Sequence, residues 1–365
     1  MTSGSDARFM ALALSLGRRG LGRVWPNPAV GCVIVKGGQI IGRGATADGG
    51  RPHAEAIALA QAGGAAEQAT VYVSLEPCAH HGETPPCAEA LIVAKVARVV
   101  VATGDPDPRV AGRGIAKLMA AGISVTQGVL KDQADTDHAG FFLRITQDRP
   151  FVTLKLAGTL DGRIATAKGE SRWITGPDAR RAVHMMRARH DAVMVGAGTV
   201  RADDPSLTVR GLGISHQPVR VVVSRAMRLP ADLQLARTAQ VVPVWLCHEA
   251  GAQVQPWIDQ GAVSLPCATA SGAVDPHDVM RVLADKGITR VFCEGGGMMG
   301  ASLLNAGLVD RLVVFSAGTA IGAEGTPMLA AMGVSKLDTA PRFDLVDVSR
   351  LGADICQIWD KSSAP

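Results

Sequence analysis

Two short stretches carry most of the chemistry of this chain: His53-Ala54-Glu55, and further on Pro77-Cys78-Ala79-His80-His81-Gly82-Glu83-Thr84-Pro85-Pro86-Cys87. One imidazole and two thiolates are ligands that Zn²⁺ prefers, and three protein ligands leave the fourth tetrahedral position open for water. Zinc lowers the pKa of such a water from about 15.7 to about 7. The pattern therefore predicts a hydrolytic centre in which His53, Cys78 and Cys87 bind zinc. Glu55 is not needed as a ligand and is placed to carry protons for the water.

Zinc-dependent nucleobase deaminases carry His-x-Glu ahead of Pro-Cys-x-x-Cys, whereas here the eight residues from Ala79 to Pro86 separate the two cysteines. The insert is polar and rich in turn-forming residues, so we expect it to loop out and return Cys87 to the metal. Two alternatives stay open. His80 or His81 would complete a structural site with four protein ligands, and without a metal the cysteines would be ordinary buried thiols.

The composition limits the classes of protein to which the chain can belong. A length of 365 residues suggests two or three domains, and 47% hydrophobic with 19% charged residues is typical of globular proteins. The sequence has no apolar run long enough for a membrane span. An aromatic content of 4% argues against a stacking surface for nucleic acid, and a net charge of +4 is compatible with a small phosphorylated substrate. The odd number of seven cysteines indicates a reducing compartment, the cytoplasm.

Residues 1–147 are expected to form a first α/β domain and residues 150–365 a second. In the first domain the predicted strands lie at 30–35, 39–42, 70–75, 98–102 and 124–126, with helices at 6–17, from about His53, from about Cys87, at 112–121 and at 132–147. In the second domain the predicted strands lie at 151–156, 192–196, 219–223, 241–246, 290–293, 311–315, 343–348 and 354–359, with helices at 177–189, 276–286 and 297–306. This alternation predicts a mostly parallel sheet covered by helices, with an antiparallel end.

A glycine-rich turn in the second domain marks a possible second site. The turn Gly295-Gly296-Gly297-Met298-Met299-Gly300 follows a predicted strand and opens a helix, which favours phosphate binding by backbone amides. Its fit to G-x-G-x-x-G is weak evidence alone, because a dinucleotide fingerprint usually sits on the first strand of its domain. A tight strand-to-helix turn without any ligand therefore remains an alternative.

Other polar residues of this domain fall at predicted strand ends and loops. They include Lys155, Asp161-Gly162-Arg163, Ser171-Arg172-Trp173, Arg187, Thr199, Asp203-Asp204-Pro205, Leu207 and Arg210. Together with the glycine turn, they predict a dinucleotide and a charged substrate in one cleft. Ser224 and Arg225 follow the strand at 219–223, where they are candidates to meet a 2′-phosphate.

Several longer motifs resemble one known family. The first half matches it in His53-Ala54-Glu55, in the stretch from Ser74 through Glu76-Pro77-Cys78 to Cys87, and in Val110-Ala111-Gly112-Arg113-Gly114; the second half matches in 155–163, 171–175 and 203–210. These motifs, in this order over nearly the whole chain, resemble the RibD (RibG) family of bifunctional riboflavin-biosynthesis enzymes. The resemblance implies a cytidine-deaminase-like α/β/α domain followed by a dihydrofolate-reductase-like α/β domain.

The resemblance also implies two reactions. The first domain would hydrolyse the 2-amino group of 2,5-diamino-6-(5-phosphoribosylamino)pyrimidin-4(3H)-one with one Zn²⁺. The second would use NADPH to reduce the ribosyl chain to ribityl, giving 5-amino-6-(5-phosphoribitylamino)uracil. A homo-oligomer is also expected from the family, and neither nucleic acid nor a membrane is expected as a partner.

Residue roles follow from the same resemblance. It implies that Glu55 is the proton shuttle and that Lys155 hydrogen-bonds the reacting sugar. The implied substrate contacts are Asn27, His80, Ser171, Arg187, Leu207, Arg210 and Glu294. The implied cofactor contacts are Ala157, Trp173, Thr199, Asp203, Ser224, Gly296, Gly297, Met298, Met299 and Gly300.

The chain departs from the family at two positions in the deaminase half. Glu83 stands where relatives often carry Lys or Arg, and Asp107 stands where Asn is common. Both changes add negative charge, so we expect phosphate recognition to rest on other basic residues, such as Arg109 or Arg113. Three alternatives remain: a deaminase for another base with an unrelated second domain, a zinc-stabilised binding protein, and an enzyme in which only one half is active.

Overall fold

The computed structural model describes residues 4–80 and 85–362. It divides the chain into two compact units, one ending at Arg149 and the other beginning at Pro150. The insert residues His81 and Glu83 lie outside the described residues, so the expectations about them are not addressed by the structure. Among the described residues, no helix combines the length and the apolar character that crossing a bilayer requires.

The first unit is built on a five-stranded sheet in the order β2-β1-β3-β4-β5. Strand β1 is antiparallel to both neighbours, while β3, β4 and β5 run parallel. The strands are β1 (Gly31–Lys36), β2 (Gln39–Ala45), β3 (Thr70–Val73), β4 (Arg98–Val101) and β5 (Ser124–Gln127). The helices are α1 (Gly4–Arg18), α2 (Ala54–Ala62), α3 (Cys87–Val93), α4 (Arg113–Ala120) and α5 (Lys131–Gln147).

Helices cover both faces of this sheet, because successive strand residues point to opposite sides. In β1, Val33 packs with α1, whereas Ile34 packs on the other face with α2, α3 and α4. A Cβ on Gly31 would lie 1.8 Å from the Ala13 oxygen, so glycine is required where α1 crosses the strand. The resulting three-layer arrangement agrees with the expected α/β/α domain.

The second unit is built on a nine-stranded sheet in the order β11-β10-β9-β8-β14-β6-β15-β18-β17. Its main strands are β6 (Phe151–Thr159), β8 (Ala192–Gly196), β9 (Val219–Val223), β10 (Val244–Glu249), β11 (Val263–Cys267), β14 (Arg290–Cys293), β15 (Arg311–Ala317), β17 (Phe343–Leu351) and β18 (Asp354–Lys361). Short strands β7 (Arg163–Ala165), β12 (Thr269–Ala270), β13 (Ala273–Val274) and β16 (Thr326–Pro327) form two separate pairs. The helices are α6 (Pro177–Ala188), α7 (Ala197–Asp203), α8 (Gln234–Arg237), α9 (Gln255–Ile258), α10 (Pro276–Asp285) and α11 (Gly297–Asn305).

In the order of the sheet, the first seven strands, β11-β10-β9-β8-β14-β6-β15, are parallel to one another. The C-terminal hairpin of β17 and β18 adds the antiparallel end. The prediction of a mostly parallel sheet with an antiparallel end is therefore confirmed. Strand β14 lies between β8 and β6, so the direction in which the chain crosses the sheet reverses there. In open α/β sheets, ligands bind outside the carboxyl ends of the strands at such a switch point.

Candidate functional site

The three predicted zinc ligands lie together in the first unit. Cys78 and Cys87 have their Sγ atoms 3.6 and 3.4 Å from Nδ1 of His53, and the ligand atoms of all three lie within 4.8 Å of one another. His53 immediately precedes α2, Cys78 follows β3, and Cys87 is the first residue of α3. Among the described residues no other His, Cys, Asp or Glu joins the cluster, so His80 is not a fourth member.

Local packing explains why these side chains meet. Gly42 and Gly44 let α2 lie close on β2, because a Cβ on Gly44 would be 2.0 Å from the Ala54 oxygen and one on Gly42 would be 2.3 Å from the Ala58 oxygen. The backbone N–H of Cys87 donates to Cys78 Sγ over 3.2 Å. The first turn of α3 therefore faces the thiolate of Cys78, and a helix N-terminus stabilises negative charge.

The electrostatics of the cluster suit a cation. Hydrogen bonds from Cys87 and His53 lower the pKa of the Cys78 thiol against the opposing effect of burial, whereas the hydrogen bond with Cys78, together with burial, raises the pKa of the Cys87 thiol. The negative charge of the thiol pair is therefore favoured on Cys78. One imidazole nitrogen and two sulfur atoms form a donor set that fits zinc and leaves room for a non-protein ligand.

Glu55 lies at the same cluster and is 3% exposed. Burial, with the negative charge of Cys78, raises the pKa of its carboxyl group to about 7. Protonated and ionised forms are then both populated near neutral pH, as a group that accepts and returns protons requires.

The other predicted residues of this half have mixed surroundings. Asn27 donates from Nδ2 to the Gly50 oxygen over 3.1 Å, in a turn where Gly50 has φ +90°. Within residues 4–80 and 85–362, the buried Nδ1 atom of His80 has no hydrogen-bond partner. Asp107 does not add an uncompensated charge, because Arg109 donates to it from Nε over 3.0 Å and its hydrogen bonds lower the pKa of Asp107. Arg109 is therefore engaged within its own loop.

In the second unit, Glu294 and Arg187 form a nearly buried ion pair. Glu294 follows β14, and Arg187 lies on α6. Nη2 of Arg187 donates to Oε2 of Glu294 over 3.0 Å. The side chain of Arg187 is 12% exposed and that of Glu294 is 9% exposed. Although burial opposes it, Arg187 holds the pKa of Glu294 below its usual value. Burial lowers the pKa of Lys155 on β6. The nearby charge of Arg187 lowers it further, whereas the negative charges of Glu294 and Asp203 act in the opposite direction.

The segment after α7 completes this group. Arg187 also donates to the Thr208 oxygen over 2.9 Å, and Arg210 donates to Thr208 Oγ1 over 3.1 Å and to Ser206 Oγ. Leu207 is 2% exposed with φ +56°, which fixes the segment against the core. The structure thus brings together Lys155, Arg187, Leu207, Arg210 and Glu294. Ser171 lies half-buried in the loop before α6.

The residues predicted to contact the cofactor lie at the carboxyl ends of neighbouring strands. Ala157 is in β6, Thr199 and Asp203 are in α7 after β8, Ser224 follows β9, and Gly296 precedes α11. Trp173 is 72% exposed and lies under Arg180, whose guanidinium carbon is 4.6 Å from the ring centroid. Its neighbour Arg172 donates to the Asp203 oxygen over 3.2 Å, which ties the Trp173 loop to the end of α7.

The glycine turn has both a packing role and an open side. A Cβ on Gly297 would lie 3.1 Å from the Ala330 nitrogen, and one on Gly300 would lie 2.9 Å from Leu329 Cδ2. Met299 packs against Gly295, whereas Met298 is 77% exposed. Gly296 precedes α11 without a side-chain capping hydrogen bond, and of the described residues a Cβ there would meet only Thr199 Oγ1, at 3.8 Å. The backbone amides at such a helix start fit a phosphate group.

Two acidic residues in the quoted motifs have contacts that the sequence did not reveal. Asp161 accepts from the backbone N–H of Gly322 over 2.7 Å and thereby holds the loop after β15. Glu76, next to Pro77-Cys78, accepts several backbone N–H groups near α4. The sequence indicated these two contacts only by placing an acidic residue next to Pro77-Cys78 and next to Gly162-Arg163. Arg225 also has an unexpected partner, since it pairs with Glu249 over 3.7 Å.

Comparisons with known proteins cover both units. Residues 3–103 match the cytidine and deoxycytidylate deaminase zinc-binding region, and residues 150–357 match the RibD C-terminal domain. The riboflavin biosynthesis protein RibD of Escherichia coli K12 is 41% identical over 360 residues, which are 96% of this chain and 98% of the relative. The RibD protein of Haemophilus influenzae is 42% identical over 366 residues, 97% of this chain and 96% of that protein.

Solved structures give the same result. The form 1 structure of Acinetobacter baumannii RibD has a TM-score of 0.89 at 40% identity and covers 98% of this chain and 99% of its own. A diaminohydroxyphosphoribosylaminopyrimidine deaminase/5-amino-6-(5-phosphoribosylamino)uracil reductase from Thermotoga maritima has a TM-score of 0.87 at 34% identity, with 98% and 99% covered. The chain therefore belongs to the RibD family of bifunctional riboflavin-biosynthesis enzymes, with a deaminase domain of cytidine-deaminase-like fold followed by a reductase domain of dihydrofolate-reductase-like fold.

Proposed function

We propose that this chain catalyses two consecutive reactions. Its first unit hydrolyses 2,5-diamino-6-(5-phosphoribosylamino)pyrimidin-4(3H)-one to 5-amino-6-(5-phosphoribosylamino)uracil and ammonia. Its second unit reduces the ribosyl chain of that product to ribityl with NADPH, which yields 5-amino-6-(5-phosphoribitylamino)uracil. The observation that carries the proposal is the cluster of His53, Cys78 and Cys87 with the buried carboxyl group of Glu55 beside it.

In the deaminase half the chain supplies metal ligands and a proton carrier. Zinc held by His53, Cys78 and Cys87 would act as a Lewis acid that makes water nucleophilic near neutral pH. Glu55 takes a proton from the attacking water and delivers it to the ring nitrogen. It then moves the proton of the newly added hydroxyl group to the departing amine. The C–N bond breaks, ammonia leaves, and the new C–O bond becomes the carbonyl of the product. Asn27 and His80 hold the pyrimidine.

In the reductase half the chain orients the sugar and excludes water. Bound NADPH would supply the hydride. Lys155, Arg187, Arg210 and Glu294 bind the phosphorylated substrate, supported by their mutual contacts. Because Glu294 compensates Arg187, the net positive charge left by Lys155 and Arg210 favours a phosphate. Ser171 and Leu207 complete the substrate contacts.

The carboxyl ends of the strands would hold NADPH. The amides from Gly296 to Gly300 at the start of α11, with Thr199 and Asp203, would bind its phosphates, and Ala157 and Trp173 would contact its nicotinamide part. Ser224 would contact the 2′-phosphate. The pairing of Arg225 with Glu249 weakens the case for Arg225 as a second contact to this phosphate.

We also propose that the protein is a homo-oligomer in the cytoplasm, with β17 covered by a second copy. Leu345, Val346 and Val348 on this strand are 52%, 54% and 54% exposed, and contiguous exposed apolar residues mark interfaces. Replacing Val348 with lysine should shift the sedimentation coefficient from dimer to monomer. A native protein that sediments as a monomer at micromolar concentration would rule out this part of the proposal.

The two reactions are tested by product identification. Zinc-loaded protein should convert the diamino substrate to the deaminated intermediate without NADPH, and to the ribityl product when NADPH is present. Mass spectrometry distinguishes the amino-to-oxo exchange from the addition of two hydrogen atoms. Failure to consume the diamino substrate while cytosine or guanine is deaminated would show that another base is the substrate.

A further inference from the structure

Glu76 lies between β3 and the ligand Cys78, and its carboxylate is 4% exposed. It accepts four backbone N–H groups. Oε1 accepts from Gly114 over 3.0 Å and Ile115 over 3.2 Å, while Oε2 accepts from Gly112 over 3.0 Å and Asp105 over 3.4 Å. Hydrogen bonds to a charged group are about twice as strong as neutral ones. Four of them therefore hold this buried carboxylate firmly in place.

The first pair of bonds caps α4. The residue before this helix, Gly112, has no side chain to cap it and lies at φ +77°. Glu76 therefore supplies the acceptor that the helix sequence lacks, together with negative charge at the positive end of the helix dipole. The cap comes from the segment after β3, so it joins α4 to the segment that carries Cys78.

Helix α4 also contacts that segment on either side of Cys78. A Cβ on Gly114 would lie 2.0 Å from the Pro77 oxygen, so the helix start is in direct contact with the backbone before the ligand. Lys117, one turn later, donates to the Ala79 oxygen over 3.1 Å. Cys78 is additionally held by the bond from the Ala88 nitrogen to its oxygen, 3.2 Å. The ligand thus has several supports besides Glu76.

Residues 104–112, which form most of the loop between β4 and α4, are attached differently. Their internal bonds run from Val110, Ala111 and Arg109 back to Asp107. In the described structure, the two hydrogen bonds that this loop donates to the rest of the unit, from the N–H groups of Asp105 and Gly112, both end on Oε2 of Glu76. The bonds that the loop accepts come from the start of α4, and the preceding residue Thr103 accepts from the Glu76 N–H over 3.0 Å. The loop lies at the same edge of the sheet as Cys78, because β3 and β4 are parallel neighbours. Asp107 is also close enough to His80 for the two to interact electrostatically, which contributes to the lowered pKa of Asp107.

We propose that Glu76 is a positioning residue of the deaminase half, which fixes the loop 104–112 against the metal-ligand segment so that the loop can bind substrate. The role follows from the different attachments: Cys78 keeps other supports when Glu76 is changed, whereas the loop loses both of the hydrogen bonds that it donates to the rest of the unit. This inference rests on the proposed deamination, but its structural part is measurable without it.

The variant Glu76→Gln tests the proposal. An amide oxygen can accept only one of the two pairs of N–H groups, and the helix dipole favours the pair at Gly114 and Ile115. The amide NH₂ group then faces Asp105 and Gly112, and the loop is released. The matched control is Glu67→Gln, the same chemical change on an exposed residue of the same unit, whose salt bridge to Lys95 spans 3.8 Å.

In Glu76→Gln the KM for the diamino substrate should be about tenfold higher, which corresponds to about 1.4 kcal/mol of binding free energy. The kcat should change less than about twofold. Zinc content and the rate of NADPH-dependent reduction should equal those of the native protein and of Glu67→Gln. Amide hydrogen exchange should become faster in peptides covering 105–112 and stay unchanged in α2 and α3.

Two results would overturn the inference: loss of zinc or of kcat with unchanged KM, which would make Glu76 a support of the metal site, and unchanged exchange at 105–112. If the native protein does not deaminate the substrate, the proposed function fails. The exchange measurement still decides whether Glu76 holds the loop.

Discussion

At the scale of single residues, Glu55 is the buried carboxyl group beside the three predicted zinc ligands of the deaminase half. It is buried beside two sulfur atoms and one imidazole, and its raised pKa lets it exchange protons near neutral pH. We predict that Glu55→Gln retains zinc but lowers the rate of ammonia release at least about 100-fold, which is the lower range for general acid–base catalysis. Ammonia release and metal content measure the effect.

The same variant has an internal control. NADPH-dependent reduction of the deaminated intermediate should be unchanged, because the proposed residues for that step lie in the second unit. Loss of both activities in a zinc-loaded variant would contradict independent sites.

The ion pair of Arg187 and Glu294 permits a prediction about stability. Removing one partner of a nearly buried pair leaves an uncompensated charge, so Arg187→Met should lower the free energy of unfolding of the second unit by about 3 kcal/mol. The matched control is Arg281→Met, whose exposed guanidinium pairs with Asp278 and Asp285 at the surface and should therefore stabilise the unit much less. Urea unfolding, followed by tryptophan fluorescence, to which the buried Trp257 of this unit contributes, compares the two variants. Equal losses of stability would contradict the argument.

Residue types and spacing were enough to predict that His53, Cys78 and Cys87 come together, because each flanks a strand or a helix whose position follows from the hydrophobic pattern. The contacts of Glu76, Asp107 and Asp161 could not be predicted in this way. Their partners are backbone N–H groups or side chains of irregular loops, and the conformation of such a loop is set by tertiary packing rather than by local sequence.

At the scale of elements, apolar β-branched runs made most strands predictable. Strands β8, β9 and β14 have the bounds expected from the sequence. Strand β11 was not predicted, because Ser264 and Pro266 interrupt its apolar residues; the proline is tolerated since β11 is an edge strand. The short helices α7, α8 and α9 were missed for a related reason, as one or two turns give too little periodicity.

The start of β8 gives a prediction about pH. His190 lies buried there between Thr153 and the Met186 oxygen, and burial, with the nearby positive charges of Arg290, Arg311 and Arg189, lowers its pKa to about 3. An unfolded histidine has a pKa of about 6.5, so only the unfolded state takes up a proton between these values. The free energy of unfolding should therefore fall below pH 6.5, by about 1.4 kcal/mol per pH unit once the unfolded histidine is fully charged.

The measurement is urea unfolding of the native protein and of His190→Gln at pH 7.5, 6 and 5. The variant should lose less stability between pH 7.5 and 5, whereas His277→Gln, at an exposed position, should behave as the native protein does. Burial raises the pKa of the adjacent Asp191, which acts in the opposite direction, since its contribution is lost as pH rises. It is present in all three proteins and cancels in the comparison. Identical pH slopes for native protein and His190→Gln would contradict the assignment.

At the scale of the whole molecule, the chain consists of two units, one with a deaminase domain and one with a reductase domain. The family match spans both, and the sheet of each unit was predictable from the alternation of its strands and helices. The arrangement of copies was not predictable, because the hydrophobic pattern of the sequence does not specify how a second copy would lie on the exposed apolar residues of β17 that we propose it covers.

The central claim is that a three-ligand zinc site performs the first reaction and plays no part in the second. Its most direct test is to remove the metal with a chelator and to follow both reactions by product mass, before and after zinc is restored. We predict that the stripped protein leaves the diamino substrate unchanged, still reduces the deaminated intermediate with NADPH, and recovers deamination with zinc. Deamination that persists in fully stripped protein, or reduction that disappears with the metal and returns with it, would contradict the account.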